Sequence, residues 1–183
     1  QMILVAVACG TGVGVNALLS RYLGLQDPQM ASQTALHGIF LGLMNGLVFA
    51  LLGFFGARSF LALFTQQANI LEMGVVYMRI CTVFSFGVFV QITYERIMQA
   101  TGNTFYNMVI QGVGALVNII LDPIFIFGWL GLPAMGVAGA AIATVAGQVV
   151  AMILGIWITQ KKVKEITIHV RVFRLSAKLL GNL

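Results

Sequence analysis

Three residues that could do chemistry stand close together in an otherwise apolar stretch: Asn118, Asp122 and Pro123. A carboxylate at the centre of a helix in lipid costs about 2.5–3.5 kcal/mol on the lenient insertion scale, so an acid there indicates a functional site. Asn118 and Asp122 lie on one face of a helix because residues i and i+4 do so. Pro123 has no N–H, so the carbonyl of Ile119 loses its helical hydrogen bond.

These groups form a set of hard oxygen donors: the Asp122 carboxylate, the Asn118 amide and the freed Ile119 carbonyl. Such a set suits a small cation, or a proton shared with water, and transporters use broken helices in this way. The alternative is a proline kink at Pro123 whose exposed backbone is satisfied by Asp122 and Asn118. The residue pattern alone leaves both interpretations open.

The elements that carry these residues must be membrane-spanning helices. The chain has 183 residues, of which 60% are hydrophobic and 8% charged, whereas soluble domains carry about 25% charged residues. A span needs roughly 20 mostly apolar residues. Five stretches qualify: Met2–Ser20, Ala35–Ala57, Gly74–Tyr94, Phe105–Leu130 and Ala134–Thr159. The fold class is therefore predicted to be all-α, a polytopic membrane helix bundle over residues 1–159.

Charge asymmetry predicts the orientation of the bundle. If the first span starts outside, the cytoplasmic side carries Arg21, Arg96, Lys161, Lys162, Lys164, Arg171, Arg174 and Lys178, and the outside carries only Arg58 and Arg79. Cytoplasmic loops are enriched in Lys and Arg, so we expect this orientation. Residues 160–183 are predicted to be a cytoplasmic connector, which could pair as a strand or lie flat as an interfacial helix.

Small residues at four-residue spacing predict close helix packing. The second span has Gly38, Gly42 and Gly46, and the fifth has Gly139, Ala143, Gly147, Ala151 and Gly155. Such faces let helix backbones approach closely within a membrane. The short turn Gly128–Pro133 makes the fourth and fifth spans antiparallel neighbours.

The remaining polar residues indicate no enzyme. Glu95 and Arg96 are expected to snorkel or pair locally at the mouth of the third span, and His37 is expected to lie at an interface. Neither a Ser/His/Asp set, an HExxH motif nor paired catalytic carboxylates occur, and the cysteines lack metal-ligand spacing. We therefore expect no catalytic activity, no resident cofactor and no nucleic-acid partner.

Three segments are similar to one known family. They are GVGVNALLSRYLGLQD at the end of the first span, ERIMQATGNT after the third, and NIILDPIFIFGWLGLPAMGVAGAAIATVAGQ across the fourth and fifth. Together they resemble the N-terminal half of multidrug and toxic compound extrusion (MATE) transporters. Such proteins have twelve spans in two six-helix lobes, and the five spans here look like the second to sixth.

The resemblance implies a cation-coupled antiporter in the cell membrane that exports amphipathic organic cations and drugs in exchange for Na⁺ or H⁺. Asn118 and Asp122 match the family's cation-site pattern on its fifth span, and Thr144 matches a threonine on the sixth. The family's other acid of this lobe lies on its first span, which is expected to precede this chain. The second lobe, reached through residues 160–183, would complete the transporter.

Two other functions fit the same fold. Lipid-linked sugar flippases and polysaccharide exporters share the superfamily's plan, although the block from Asn118 to Pro123 argues against them. The chain could also be a membrane scaffold without transport, in which case Asp122 would only satisfy the backbone at the kink.

Overall fold

The structure is a computed structural model, and it describes residues 2–65, 67–129 and 133–163. In these ranges it contains six α-helices and no strand: α1 (Met2–Gly24), α2 (Pro28–Ala62), α3 (Ala68–Val83), α4 (Phe86–Ala100), α5 (Thr104–Phe127) and α6 (Val137–Lys162). By length and composition α1, α2, α5 and α6 can each cross a membrane, and the bent pair α3–α4 can form a fifth span. The predicted all-α membrane bundle is confirmed.

The third span differs from the prediction. The sequence predicted one uninterrupted span over Gly74–Tyr94, but this segment is divided into α3 and α4, which meet at an angle of 44°. The pair also begins earlier, at Ala68, and ends later, at Ala100. An apolar run fixes the presence of a span but carries no signal for a bend in it.

Hydroxyl groups at the junction of α3 and α4 account for the bend. Thr82 Oγ1 donates to the carbonyl oxygen of Met78 at 2.7 Å, and the buried Ser85 Oγ donates to that of Gly46 in α2 at 3.3 Å. Side chains that bond to backbone carbonyls compete with the helical ladder and bend helices. The junction is therefore fixed by a contact with α2 and not by the local sequence alone.

Helix α2 is longer than predicted at both ends. Asp27 caps its start, because the Asp27 carboxylate accepts from the backbone N–H of Met30 at 3.0 Å, and Pro28 occupies the first turn, where a missing N–H costs nothing. Its 35 residues span about 52 Å. This exceeds the hydrocarbon thickness of about 30 Å, so the helix tilts or projects beyond the bilayer.

The glycine face of α2 packs closely against other helices, as predicted, and the structure identifies these as α1 and α4. A Cβ at Gly38 would lie 2.8 Å from a methyl of Val15, and one at Gly46 would lie 2.8 Å from the Cα of Phe86. A Cβ at Gly42 would lie 3.3 Å from the backbone carbonyl oxygen of Phe89. These glycines therefore determine how closely the helices approach.

Helices α5 and α6 pack as antiparallel neighbours, which confirms the predicted arrangement. Gly147 faces the carbonyl oxygen of Gly114, and a Cβ there would lie 2.7 Å from it. Further along, Gly139 lies directly against the backbone of Phe125. Gly128 ends α5 with a φ of 75°, a left-handed conformation that glycine adopts without steric cost.

At one end of the bundle, two lysine ammonium groups lie over aromatic rings. The Lys161 ammonium lies 4.2 Å from the centre of the half-exposed Trp157 ring, and the Lys162 ammonium lies 5.5 Å from that of Tyr106. Such pairs are typical of a membrane–water interface. The connector was predicted over residues 160–183, of which 164–183 lie outside the described residues. Helix α6 continues through Lys162, past the predicted boundary at residue 159.

Candidate functional site

The contact between α5 and α6 brings two of the predicted site residues together. Asn118 Nδ2 donates to Thr144 Oγ1 at 3.4 Å, and Thr144 Oγ1 donates in turn to the carbonyl oxygen of Ala140 at 2.8 Å. Asn118 lies directly over Gly147, whose missing side chain leaves room for it. Thr144 therefore bonds its own helix and at the same time accepts a hydrogen bond from α5.

Asp122 lies one helical turn after Asn118 on α5. Its Oδ1 atom is buried and has no hydrogen-bond partner among the residues that the structure describes. A buried polar atom without a partner is costly, and the cost is larger for a charged group. This oxygen is therefore available to a ligand that supplies positive charge or a proton.

Tyr77 of α3 is a further member of this site. Its phenol interacts first with Cys81 of the same helix, and then with the Thr144 hydroxyl and, electrostatically, with the Asp122 carboxylate. Sequence analysis missed this residue because an aromatic side chain in an apolar run gives no signal of a polar role. Three helices, α3, α5 and α6, thus contribute to one polar cluster.

The structure places Ile119 and Pro123 within an uninterrupted α5, which continues through the proline to Phe127. The side chain of Ile119 is 65% exposed, and its predicted role concerns only its backbone carbonyl. Because Pro123 cannot donate to that carbonyl, the carbonyl remains a predicted cation ligand. No separate half-helix forms at this point.

A cavity of about 220 Å³ borders the cluster. It is lined by polar side chains from three helices, which are Gln91, Gln111, Asn118, Thr144 and Gln148, together with small residues such as Gly147. None of the lining side chains is charged. The cavity thus offers hydrogen-bonding groups but no charged side chain.

Of the two outcomes predicted for Glu95, snorkelling or local pairing, the structure shows local pairing, but in a buried position and not at an interface. Glu95 is only 4% exposed, and its two carboxylate oxygens accept from Gln91 Nε2 and Gln111 Nε2, each at 2.9 Å. Asn107 Nδ2 donates to its backbone carbonyl at 3.1 Å. Gln111 belongs to α5, so the burial of Glu95 depends on a helix contact that sequence spacing does not reveal.

The prediction for Arg96 is confirmed, whereas the prediction for His37 is wrong. Arg96 pairs locally, as predicted, through Nη1, which donates to Gln99 Oε1 at 2.7 Å. His37 was predicted to be interfacial, but it is fully buried, with Nδ1 at 2.8 Å from the carbonyl oxygen of Gln33. The hydrogen bond to its own helix is compatible with this burial, because buried polar groups are hydrogen-bonded.

A bundle of helices long and apolar enough to cross a membrane, with a polar cluster between them, is the architecture of a multi-pass membrane protein. The family model described as MatE matches residues 1–124. The chain therefore belongs to the MATE family of multi-pass membrane transporters.

Individual relatives agree with this family. The chain is 24% identical over 164 residues to the probable multidrug resistance protein YoeA of Bacillus subtilis (strain 168), covering 87% of this chain and 35% of YoeA. It is 24% identical over 172 residues to the multidrug export protein MepA of Staphylococcus aureus (strain MRSA252), covering 94% of this chain and 37% of MepA.

A solved structure shows the same fold. The chain matches the inward-facing conformation of a multidrug resistance MATE family transporter of the MOP superfamily, with a TM-score of 0.89 and 28% sequence identity. The match covers 98% of this chain and 40% of that one. This chain therefore corresponds to about two fifths of such a transporter.

Proposed function

We propose that the complete protein is a cation-coupled antiporter that exports amphipathic organic cations and drugs while Na⁺ or H⁺ moves in the opposite direction. The observation that carries the proposal is the buried Asp122 oxygen without a partner, beside the hydrogen-bonded pair Asn118 and Thr144. The names of YoeA and MepA, a multidrug resistance and a multidrug export protein, support the export of drugs.

The coupling ion binds at Asp122 in this proposal. The carboxylate supplies the charge, and the Asn118 amide, the Thr144 hydroxyl and the Ile119 carbonyl supply neutral oxygens. Oxygen donors of this kind suit Na⁺, and the same carboxylate can instead take a proton. Na⁺ and H⁺ therefore compete for one group.

The second lobe of the same chain forms the other wall of the transport cleft. An antiporter must expose its site to each side of the membrane in turn, and MATE-like lobes do so by moving against one another. Binding of the ion at Asp122 favours one arrangement of the helices, and release of the drug accompanies it. The partners are thus the ion, the drug, the bilayer and the second lobe.

Drug resistance of cells tests the proposal. The full-length protein is expressed in a host that lacks its own efflux pumps, beside the Asp122→Asn variant and an empty vector. We expect the wild type to raise ethidium and fluoroquinolone resistance, and Asp122→Asn to lose this effect at equal membrane abundance, because the change removes the charge and keeps the shape. Resistance equal to that of the empty vector would overturn drug export.

A measurement of Na⁺ binding distinguishes an ion-coupled transporter from a membrane scaffold without transport. Purified wild-type protein is expected to bind Na⁺ measurably by calorimetry, and Asp122→Asn to bind it at least tenfold more weakly. If the variant binds Na⁺ as the wild type does and still drives export, Asp122 only satisfies the backbone at Pro123.

A further inference from the structure

The lining of the cavity between α4, α5 and α6 does not by itself explain how a cationic substrate would be selected. Its lining side chains are all neutral, yet the proposed substrates are cations. A wall of neutral amides does not by itself prefer a cation over a neutral molecule of the same shape. A carboxylate placed behind the wall would supply such a preference.

Glu95 supplies such a charge. It lies immediately behind Gln91 and Gln111, two of the residues that line the cavity, and each donates one amide N–H to a carboxylate oxygen at 2.9 Å. Both carboxylate oxygens therefore accept from neutral amides, and neither accepts from a cation of the described segments. The carbonyl oxygens of the same amides accept no hydrogen bond from another described residue, so they remain for a ligand.

The Glu95 carboxylate has no cationic partner in the described part of the chain, although the neighbouring Arg96 has a buried Nε atom without a hydrogen-bond partner. No Lys or Arg of the described chain forms an ion pair with it, since its nearest cation in sequence, Arg96, donates to Gln99 and to Cys9 instead. Asn107, which donates to the Glu95 backbone, also has a buried Oδ1 atom without a partner. A cationic ligand would supply the positively charged partner that the Glu95 carboxylate does not have among the described residues.

We propose that Glu95, acting through Gln91 and Gln111, is the anionic anchor that selects and holds the positively charged group of an organic substrate in this cavity. The proposal rests on the proposed export function and assigns a second carboxylate to it, separate from Asp122. Glu95 determines substrate charge, whereas Asp122 binds the coupling ion.

An organic cation fits this arrangement better than a metal ion. Both Glu95 oxygens are already engaged by amide donors, and an alkali ion would need direct oxygen ligands in their place. A diffuse organic charge needs only the negative potential, which extends across one side chain in a medium of low dielectric constant. The volume of about 220 Å³ also accommodates a small organic group rather than a single ion.

Equilibrium binding to the purified full-length protein tests the anchor, with ethidium as the cationic probe and fluorescence anisotropy as the readout. We expect Glu95→Gln to raise the ethidium Kd about tenfold and to leave Na⁺ binding unchanged. Glu95→Asp, which keeps the charge, should stay within about threefold of the wild type. The matched control is Glu72→Gln, the same chemical change on the exposed surface of α3, which should have no effect.

A second variant covers the case in which Glu95→Gln is poorly folded. Gln91→Lys places an ammonium four residues before Glu95, where the two can pair along α4. This neutralises the charge without removing the carboxylate, so ethidium binding should weaken to a similar degree. Melting temperatures of all variants identify any that are misfolded.

The outcomes separate the anchor from the export function. Ethidium binding of wild-type strength in well-folded Glu95→Gln or Gln91→Lys would overturn the anchor while the resistance assay with Asp122→Asn still supports export. Loss of Na⁺ binding with retained ethidium binding in Glu95→Gln would place Glu95 in the ion site and also overturn it. A wild type that neither binds ethidium nor confers resistance would overturn both proposals.

Discussion

Asp122 and Glu95 differ in how their carboxylate oxygens are hydrogen-bonded. Asp122 keeps a buried oxygen without a partner, whereas both oxygens of Glu95 accept from glutamine amides. The first carboxylate can bind a ligand directly, because no hydrogen bond to Oδ1 must be broken. The second is held in place and acts on its surroundings through its field. Two acids in one lobe can therefore serve different ligands.

The hydroxyl of Thr144 gives a prediction at the same scale. Thr144→Val keeps the side-chain shape and removes the acceptor for Asn118, so the amide is no longer oriented toward α6. We expect Na⁺ affinity of the full-length protein to fall about fivefold, the equivalent of one hydrogen bond of about 1 kcal/mol. Calorimetry measures it, with Thr144→Ser as the control that keeps the hydroxyl. Unchanged affinity in the valine variant would remove Thr144 from the site.

Sequence analysis found some of these residues and missed others for a physical reason. Asp122 and Asn118 were predictable because a charge in lipid is expensive and because the two share one helix face. Glu95 was misplaced because it stands near a span end and its partner Gln111 comes from another helix. Tyr77 was missed because its interactions with Thr144 of α6 and Asp122 of α5 depend on tertiary packing.

At the scale of elements, the α5–α6 contact sets the geometry of the site. Gly147 lies against the backbone of Gly114 and under Asn118, so the separation of the helices and the distance from Asn118 to Thr144 depend on one another. The same small-residue line was predicted from spacing alone. The spacing identifies the small-residue face of one helix, but it does not identify the helix whose backbone packs against that face.

Gly147→Ala tests this contact. The new Cβ would lie 2.7 Å from the Gly114 carbonyl oxygen, and a backbone atom cannot move away alone, so the helices must separate. We expect a loss of about 1–3 kcal/mol of stability, typical of overpacking, and weaker Na⁺ binding. Thermal unfolding of the full-length protein measures the first effect.

Gly112→Ala is the matched control on α5. A Cβ at Gly112 meets nothing within 4 Å, and alanine is the better helix former by about 1 kcal/mol. The melting temperature of this variant should hold or rise. A Gly147→Ala variant as stable as the wild type would show that the two helices can separate without cost.

Pro123 gives the second prediction about an element. Pro123→Ala restores an N–H that can bond to the Ile119 carbonyl, so the helix gains a hydrogen bond and the proposed site loses an oxygen donor. We expect the melting temperature to hold or rise while ion-coupled ethidium export weakens. Transport in proteoliposomes under a Na⁺ or H⁺ gradient measures the coupling. Wild-type transport with only a change in stability would mean that the proline merely shapes α5.

The bend between α3 and α4 shows the limit of prediction for elements. The sequence predicted one apolar span where two helices meet at 44°. The bend depends on the Ser85 hydroxyl, which donates to the Gly46 carbonyl of a neighbouring helix. Local hydropathy does not describe such a contact, so the presence of a span was predictable, whereas its bend and its two ends were not.

At the scale of the whole molecule, the distribution of charge relates the bundle to the membrane. The ends of α4 and α6 carry Arg96, Lys161 and Lys162, whereas Arg58 and Arg79 lie together beside Glu72 near the opposite end of the chain's helices. Positively charged residues are retained on the cytoplasmic side during insertion. The predicted orientation thus determines which end of the cavity faces the cell interior.

Labelling of single cysteines tests this orientation. In a full-length protein whose native cysteines, including Cys9 and Cys81, are replaced by alanine, Asn69→Cys marks the start of α3 and Gln160→Cys the end of α6; both positions are exposed. In intact cells a membrane-impermeant maleimide should label position 69 and not position 160, because the cationic end of α6 lies inside. Permeabilised cells should show labelling at both positions. The reverse pattern in intact cells would invert the bundle, and the ion gradient assigned to Asp122 would then have to drive import in place of export.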